Sequence, residues 1–184
     1  MVIRELKNDE IIATYNDHLY HDFPSEERKP LDRIMVALND GTYKCIGAFD
    51  DNCQQVAYAF FVVIGNKCLL DYFAVFKELR GKGTGSEFLQ KVLREIGYNS
   101  VIIEIEDPEK TNDENERKIR SRRMDFYLRC GCKNTGVKAS AFGVEFLLLE
   151  YPESHDKNEV ASNYLEIYKA ILPKKMFENN MFIL

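Results

Sequence analysis

Several common features are scarce in this chain of 184 residues, and each absence excludes a class of protein. No apolar run approaches the length of about 20 residues that crosses a bilayer, so a membrane is not an expected partner. Neither an internal repeat nor a flexible linker divides the sequence. We therefore expect one domain over residues 1–184, which would bury about 70% of the surface of its unfolded chain.

Cysteine and histidine are also sparse. Five cysteines, an odd number, argue against a disulfide framework, and residues 1–5 do not resemble the start of a signal peptide. These observations predict a cytoplasmic protein. Of the three histidines, His18 and His21 lie close together, but no third ligand accompanies them, so no metal site is predicted.

Positive charge is in deficit, with 25 lysines and arginines against 30 aspartates and glutamates. The resulting net charge of −5 argues against nucleic acid as a partner, because nucleic acids bind basic surfaces. The chain is 45% hydrophobic and 30% charged, which is typical of folded globular proteins rather than of disordered ones.

Two familiar nucleotide-binding motifs are absent from the glycine-rich segment that follows residues 70–76. A P-loop requires a glycine and a lysine before serine or threonine, whereas Gly83 is followed directly by Thr84. A dinucleotide fingerprint requires a third glycine at the position of Ser86. Both motifs are therefore excluded.

What is present is a strand, a glycine-rich turn and a helix in immediate succession. The apolar residues 70–76 predict a strand, and the spacing of Phe88, Val92 and Ile96 predicts an amphipathic helix. This order brings several backbone N–H groups and the positive end of a helix to one point, which favours phosphate. A helix N-terminus alone contributes only about 0.3–2 kcal/mol toward an anion, so several amides and a cation must act together.

Arg80, Gly83 and Gly85 match the pattern Arg/Gln-x-x-Gly-x-Gly/Ala, and here the chain resembles the GNAT family of N-acetyltransferases. The resemblance covers roughly residues 30–150 and implies acetyl-CoA as co-substrate. It implies that the loop backbone holds the pyrophosphate, which glycines allow to approach closely, and that the strand backbone holds the pantetheine arm. The implied coenzyme-binding residues are Phe73, Ala74, Val75, Arg80, Gly81, Lys82, Gly83, Thr84, Gly85 and Ser86.

The order of predicted elements agrees with this resemblance and indicates an α/β (α+β) fold with a mixed central sheet of about 6–7 strands flanked by helices. The predicted strands lie at residues 2–7, 43–50, 55–64, 68–76, 101–106 and, as two strands around a turn near Phe142, 134–151. The predicted helices lie at residues 8–19, 31–40, 87–99 and 117–129, and a last helix with a tail occupies 156–184.

Residues 123–132 resemble a second family segment, Ala-x-x-Phe/Leu-Tyr-x-x-x-Gly-Phe, in which the tyrosine is the general acid toward the leaving thiolate. Tyr127 occupies that position. A phenol with a pKa of about 10 stays protonated at neutral pH and can donate. The chain departs from the pattern with Arg123 for alanine, Cys132 for phenylalanine and Arg120 for an upstream asparagine.

Glu104 and Glu106 stand at the end of an apolar strand, and alternation sends both carboxylates to one face. A lysine-type amine is mostly protonated at neutral pH, so making it nucleophilic costs roughly 4–5 kcal/mol and calls for a base. Glu104 matches the glutamate that some family members use, and Glu106 is its rival. Two solvated carboxylates without a catalytic role remain the alternative.

The resemblance implies an N-acetyltransferase that passes an acetyl group to a primary amine of a small molecule or peptide by direct attack in a ternary complex. A monomer or a homodimer fits equally well. The alternative from another class is a catalytically inactive sensor or regulatory module that binds coenzyme A. A weaker third hypothesis is a nucleotide-binding α/β protein. No motif identifies the acceptor amine.

Overall fold

The computed structural model describes residues 1–25, 27–98, 100–152 and 155–184. These residues form two compact units. Unit 1 comprises Met1–Val63 and Leu70–Ile96, and unit 2 comprises Ile64–Leu69 and Gly97–Leu184. Strands and helices follow one another along the chain in the predicted order, which confirms the α/β fold class.

The described residues contain eight strands, slightly more than the predicted number. The strands are β1 (Val2–Glu5), β2 (Tyr43–Phe49), β3 (Gln55–Ile64), β4 (Lys67–Val75), β5 (Val101–Glu106), β6 (Lys133–Ala141), β7 (Val144–Tyr151) and β8 (Met181–Ile183). The α-helices are α1 (Asn8–Thr14), α2 (Tyr20–Asp22), α3 (Leu31–Asn39), α4 (Thr84–Glu95), α5 (Glu114–Arg129), α6 (Lys157–Ile171) and α7 (Lys174–Asn180). A π-helical turn (Tyr15–Leu19) joins α1 to α2, and 3-10 turns lie at Lys77–Leu79 and Pro108–Lys110.

Unit 1 is built on antiparallel strands, one of which is almost entirely buried. β1 pairs with β2, which places Val2 opposite Phe49, and β2 pairs with β3. Residues 56–63 of β3 are all buried. A strand covered on both faces carries a continuous apolar run, which is why its bounds could be predicted without error from the sequence.

Helix α4 anchors the glycine-rich segment to the core of unit 1. Its apolar stripe (Phe88, Leu89, Val92 and Leu93) is at most 3% exposed. Fully burying one such side chain contributes about 1.5–3 kcal/mol, so the stripe holds the helix firmly in place. The helix begins three residues before the predicted start, because the small polar residues 84–86 carry no apolar signal. The predicted end at Asn99 lies outside the described residues.

Unit 2 consists of β5, β7, β6 and β8 in antiparallel pairs, with helices α5, α6 and α7. β5 has its predicted bounds, and its isoleucines and Val101 are at most 2% exposed. Helix α5 begins at Glu114 rather than at residue 117. The cause is Asp113, whose side chain accepts hydrogen bonds from the first amides of the helix and caps it.

The end of unit 2 holds an element that the sequence did not predict. After Pro173 the chain forms α7 and then β8, which pairs with β6 and places Met181 opposite Ala141. This strand is three residues long, and its partner lies about forty positions earlier in the chain. Neither its length nor its local pattern could therefore indicate it, and it raises the strand count above the expected six or seven.

Candidate functional site

Residues 80–86, which include the end of the connection from β4 and the first residues of α4, are called the glycine loop. Gly81 and Gly83 have φ angles of +79° and +87°, in the left-handed region that favours glycine. A Cβ atom added to either glycine would meet nothing within 4 Å. The backbone conformation, and not crowding, is therefore what requires glycine here.

The main chain of the glycine loop presents a row of hydrogen-bond donors. Among the described residues, no group accepts from the amides of residues 81–86, and the first bond of α4 runs from the amide of Glu87 to the carbonyl of Gly83 at 3.1 Å. Thr84, Gly85 and Ser86 form the first turn of that helix. These donors together with the positive end of a helix of 12 residues make an anion-binding arrangement.

The two cations of the glycine loop have different surroundings. Lys82 is exposed, and none of the described carboxylates pairs with it. Arg80 is turned back toward the preceding strand: its Nε donates to the carbonyl of Val75 at 2.8 Å, and its Nη2 pairs with Asp22 at 2.5 Å. Lys82 is therefore the cation that remains available to an anion.

The strand residues predicted to hold a pantetheine arm lie directly before this loop. The ring of Phe73 stacks on that of Phe88 in α4, with 5.5 Å between centroids. Ala74 and Val75 are buried at 9% and 8% exposure. The carbonyl of Val75 is occupied by Arg80. Unit 1 thus brings together all the residues that the resemblance implied for coenzyme binding.

Tyr127 lies in the last turn of α5 in unit 2 and is 9% exposed. Its carbonyl accepts from the amides of Cys130 and Cys132, both at 3.1 Å, and its ring contacts that of Phe126 edge-on at 5.3 Å. Burial raises the pKa of the phenol above its usual value. Among the described residues, no side chain or carbonyl forms a hydrogen bond with its hydroxyl.

Glu104 is bound by two tyrosines of helix α6. Tyr164 donates to its Oε1 at 2.5 Å, and Tyr168 donates to Oε1 and Oε2 at 2.9 and 3.0 Å. Neither tyrosine was predicted as a site residue from the sequence. Their spacing of four residues, which puts both hydroxyls on one helix face, was the available signal.

Glu106 is bound instead by two arginines of helix α5. Arg120 Nη2 lies 2.8 Å from its Oε1, and Arg123 Nη1 lies 3.1 Å from its Oε2. These arginines are two of the departures from the family segment around Tyr127. The two departures therefore have one structural explanation, since both side chains neutralise Glu106.

A third ion pair follows directly on β5. Lys138 Nζ lies 2.7 Å from the Oδ2 of Asp107, whose side chain is 2% exposed. Burial alone would raise the pKa of Asp107, but the hydrogen bonds from Lys138 and from the amide of Glu109 outweigh it and hold that pKa below its usual value.

The described ranges contain neither a candidate membrane span nor a candidate metal cluster. There, no helix combines the length and apolar character that a bilayer requires. No group of three or more histidine, cysteine, aspartate or glutamate side chains in the same ranges is placed to hold a metal ion. The five cysteines are free.

No family model matches the sequence, and no curated protein matches it. Solved structures do. The chain is similar to a protein assigned to the GNAT acetyltransferases from Bacteroides thetaiotaomicron, with a TM-score of 0.75 and 16% identity over 93% of this chain and 98% of that one.

Two further similar structures have named activities. The ribosomal-protein alanine N-acetyltransferase from Escherichia coli has a TM-score of 0.59 and 17% identity over 84% of this chain and 94% of that one. The spermidine N-acetyltransferase from Vibrio cholerae, solved with coenzyme A and spermine, has a TM-score of 0.58 and 11% identity over 81% and 93%. At such identities the likeness concerns the fold alone. The chain has the fold of the GNAT acetyltransferases.

Proposed function

We propose that the chain is one N-acetyltransferase domain that passes the acetyl group of acetyl-CoA to a primary amine of a small molecule or peptide. The observation that carries the proposal is the row of amides in residues 81–86, which have no acceptor among the described residues. Such a row at a helix N-terminus suits a diphosphate. Coenzyme A carries one, and a similar fold was solved with that coenzyme.

The glycine loop holds the diphosphate of the coenzyme in this proposal. The amides of residues 81–86 donate to its oxygens, and Lys82 adds a charge-assisted contact. The backbone of Phe73 and Ala74 holds the pantetheine arm. Val75 contributes through its amide, because its carbonyl already accepts from Arg80.

Tyr127 is the proposed general acid. The raised pKa that burial produces keeps its phenol protonated at neutral pH, so it can donate to the sulfur that leaves. Thiols have a pKa of about 8.5, below that of the phenol, so a hydrogen bond to the developing thiolate comes before any complete proton transfer. The resemblance to the family segment supports the same role.

Glu104 is the proposed base, and Glu106 the second candidate. Glu104 accepts hydrogen bonds from the neutral hydroxyls of Tyr164 and Tyr168, which hold the carboxylate without cancelling its charge. Glu106 is paired with two guanidinium groups that do cancel its charge. Neighbouring cations oppose protonation of a carboxylate more than neutral hydroxyls do. Glu104 is therefore better placed than Glu106 to take up a proton from an ammonium.

The reaction is a direct transfer in a ternary complex. The amine nitrogen forms a bond to the thioester carbonyl carbon as the carbon–sulfur bond breaks. Glu104 takes one proton from the ammonium, and the leaving sulfur receives a proton from Tyr127. The second proton that leaves the nitrogen as the amide forms restores the Tyr127 phenol. A cytoplasmic monomer or homodimer acting on a small molecule or peptide, without nucleic acid or membrane, completes the proposal.

Calorimetric titration with acetyl-CoA tests whether the chain binds the coenzyme. Thiol release in the presence of candidate amines tests whether it transfers the acetyl group. Polyamines, aminoglycosides, amino acids and peptides form the screen. Absence of binding at millimolar acetyl-CoA would contradict the proposal. Competition by ATP or NAD for the same site would favour a nucleotide-binding protein instead.

The inactive sensor or regulatory module is the second candidate, because Arg120 and Cys132 replace family residues near Tyr127. It requires binding of coenzyme A without thiol release for any amine. Tyr127→Phe separates the two functions, since an enzyme loses turnover and a sensor has none to lose.

A further inference from the structure

Arg80 opens the glycine loop, yet its side chain is directed onto the strand before it. Its Nε donates to the carbonyl of Val75 at 2.8 Å, and its Nη2 donates to Asp22 Oδ1 at 2.5 Å. The guanidinium therefore joins the end of β4 to a residue that lies 58 positions earlier in the sequence.

Asp22, the last residue of α2, is bound on both oxygens. Oδ1 accepts from Arg80, and Oδ2 accepts from the hydroxyl of Tyr58 in β3 at 3.0 Å. Burial is the main cause that raises the pKa of Tyr58, and the negative charge of Asp22 is the second cause. This fully buried phenol therefore remains a donor. The side chain of Asp22 is only 16% exposed. Its position is thus fixed from the core of unit 1.

A second contact joins the same early segment to the same junction. The ring of His18, in the π-helical turn, stacks on Phe76 with 3.4 Å between centroids and 10° between planes. Phe76 is the residue between β4 and the 3-10 turn, and its amide donates to Val56. The segment from His18 to Asp22 therefore contacts both residues that flank the 3-10 turn Lys77–Leu79, Phe76 before it and Arg80 after it.

We propose that Asp22 is a positioning residue of the glycine loop, acting through Arg80 without touching the coenzyme. Gly81 and Gly83 permit many backbone conformations, so glycine alone does not select the one in which the loop amides are presented together. The contacts from Asp22 to Arg80 and from Arg80 to Val75 select it. The inference rests on the proposed function of the loop and assigns Arg80 a role different from direct contact with a phosphate.

A double-mutant cycle tests the proposal, with coenzyme A affinity measured by calorimetry for Asp22→Asn, Arg80→Gln and the double variant. The family pattern accepts glutamine in place of Arg80, but glutamine is too short to bridge Val75 and Asp22. We expect each single variant to bind about tenfold more weakly, as for one lost charge-assisted hydrogen bond, and the double variant no more weakly than either. Additive losses would overturn the proposal. So would an unchanged or tighter Asp22→Asn with a weakened Arg80→Gln, because that pattern means direct contact between Arg80 and the coenzyme.

A matched control is the ion pair of Arg4 with Glu10 in the same unit, at 2.6 Å. Glu10→Gln should leave coenzyme A affinity unchanged, and an equal loss there would show a general effect of unit 1 stability. Inorganic diphosphate, titrated into the same variants, should give the same ranking as coenzyme A, because it reports the loop alone. An unchanged diphosphate affinity in Asp22→Asn contradicts the proposal.

Two further outcomes separate this inference from the proposed function. No heat with the wild-type chain contradicts the proposed function itself. Binding by the wild type, with equal affinity in Asp22→Asn, contradicts only the positioning role.

If Asp22→Asn fails to fold, as melting without ligand would show, Asp22→Glu replaces it. The longer side chain of glutamate keeps the charge, so this variant should weaken coenzyme A binding less than Arg80→Gln does. An equal or greater loss counts against the proposal.

Discussion

The glycine loop of unit 1 and the carboxylates at the end of β5 in unit 2 differ in the chemical groups that form them. The loop presents main-chain amides, and its conformation depends on Gly81 and Gly83. The carboxylates are side chains that other side chains hold, with tyrosines on Glu104 and arginines on Glu106.

This difference has a consequence for mutation. A site made of backbone tolerates most side-chain changes and fails where a substitution alters φ and ψ. A site made of side chains fails when one functional group is lost, even if the backbone stays in place. Changes in unit 1 should therefore act on coenzyme affinity, and changes in unit 2 on turnover.

The largest effect is expected for Tyr127→Phe. The substitution removes only the hydroxyl and keeps the buried ring, so kcat should fall by about 10²–10⁴, the range of general acid catalysis. Coenzyme A affinity should change little. Steady-state kinetics and calorimetry on the same preparation measure the two quantities. A weakened coenzyme A affinity with unchanged kcat would contradict the expectation that changes in unit 2 act on turnover.

The next effect separates the two carboxylates. Glu104→Gln should lower kcat by about a hundredfold as a lost base, whereas Glu106→Gln should lower it less than about tenfold. Both substitutions keep the shape of the side chain, so each is the control of the other. The reverse ranking would assign the base to Glu106. Tyr168→Phe should reproduce a part of the Glu104→Gln loss, because it removes one of the hydroxyls that hold that carboxylate.

Gly83→Val tests the dependence of the glycine loop on its backbone conformation. A β-branched residue at φ +87° is strained by about 1–3 kcal/mol, which corresponds to roughly a ten- to hundredfold loss of coenzyme A affinity if the loop leaves its conformation. Gly41→Val is the matched control, since Gly41 has φ +72° and its added Cβ would also meet open space. An equal loss of affinity in both variants would mean that stability, and not the loop, is responsible.

The smallest effect concerns pH. The lowered pKa of Asp107 stabilises the folded state above the ordinary carboxyl pKa of about 3.9, and that contribution disappears as pH falls through the lowered folded value. Lys138→Met removes its main partner, so the melting temperature of the variant should lie slightly below that of the wild type at neutral pH. The two should converge below about pH 4. A difference that persists in acid would point to packing of the lysine chain instead.

The elements that could be predicted are those whose signal is local. β3 and β5 have the predicted bounds, because each is a continuous or nearly continuous apolar run. The glycine loop was found because glycine spacing, a preceding strand and a following amphipathic helix lie within about twenty consecutive residues. Helix starts were predicted late where polar caps replace apolar signals, as at Asp113.

The partners of the candidate residues could not be predicted in this way. Tyr164 and Tyr168 lie 60 and 64 positions after Glu104, and no pattern in either segment indicates the other. The same holds for Asp22 and Arg80, and for β8 and β6. Arg120 and Arg123 were noted as departures from a motif, yet only their contacts with Glu106 explain them.

Adjacent residues therefore encode which backbone elements form and where a helix presents free amides to an anion, because hydrogen bonding and apolar periodicity act over a few positions. The path of the chain decides which side chain neutralises, holds or orients each candidate group, because such contacts join residues that are distant in sequence and close only after folding. The loop that carries the proposed function belongs to the first kind. The environments that divide Glu104 from Glu106, and that turn Arg80 toward Asp22, belong to the second.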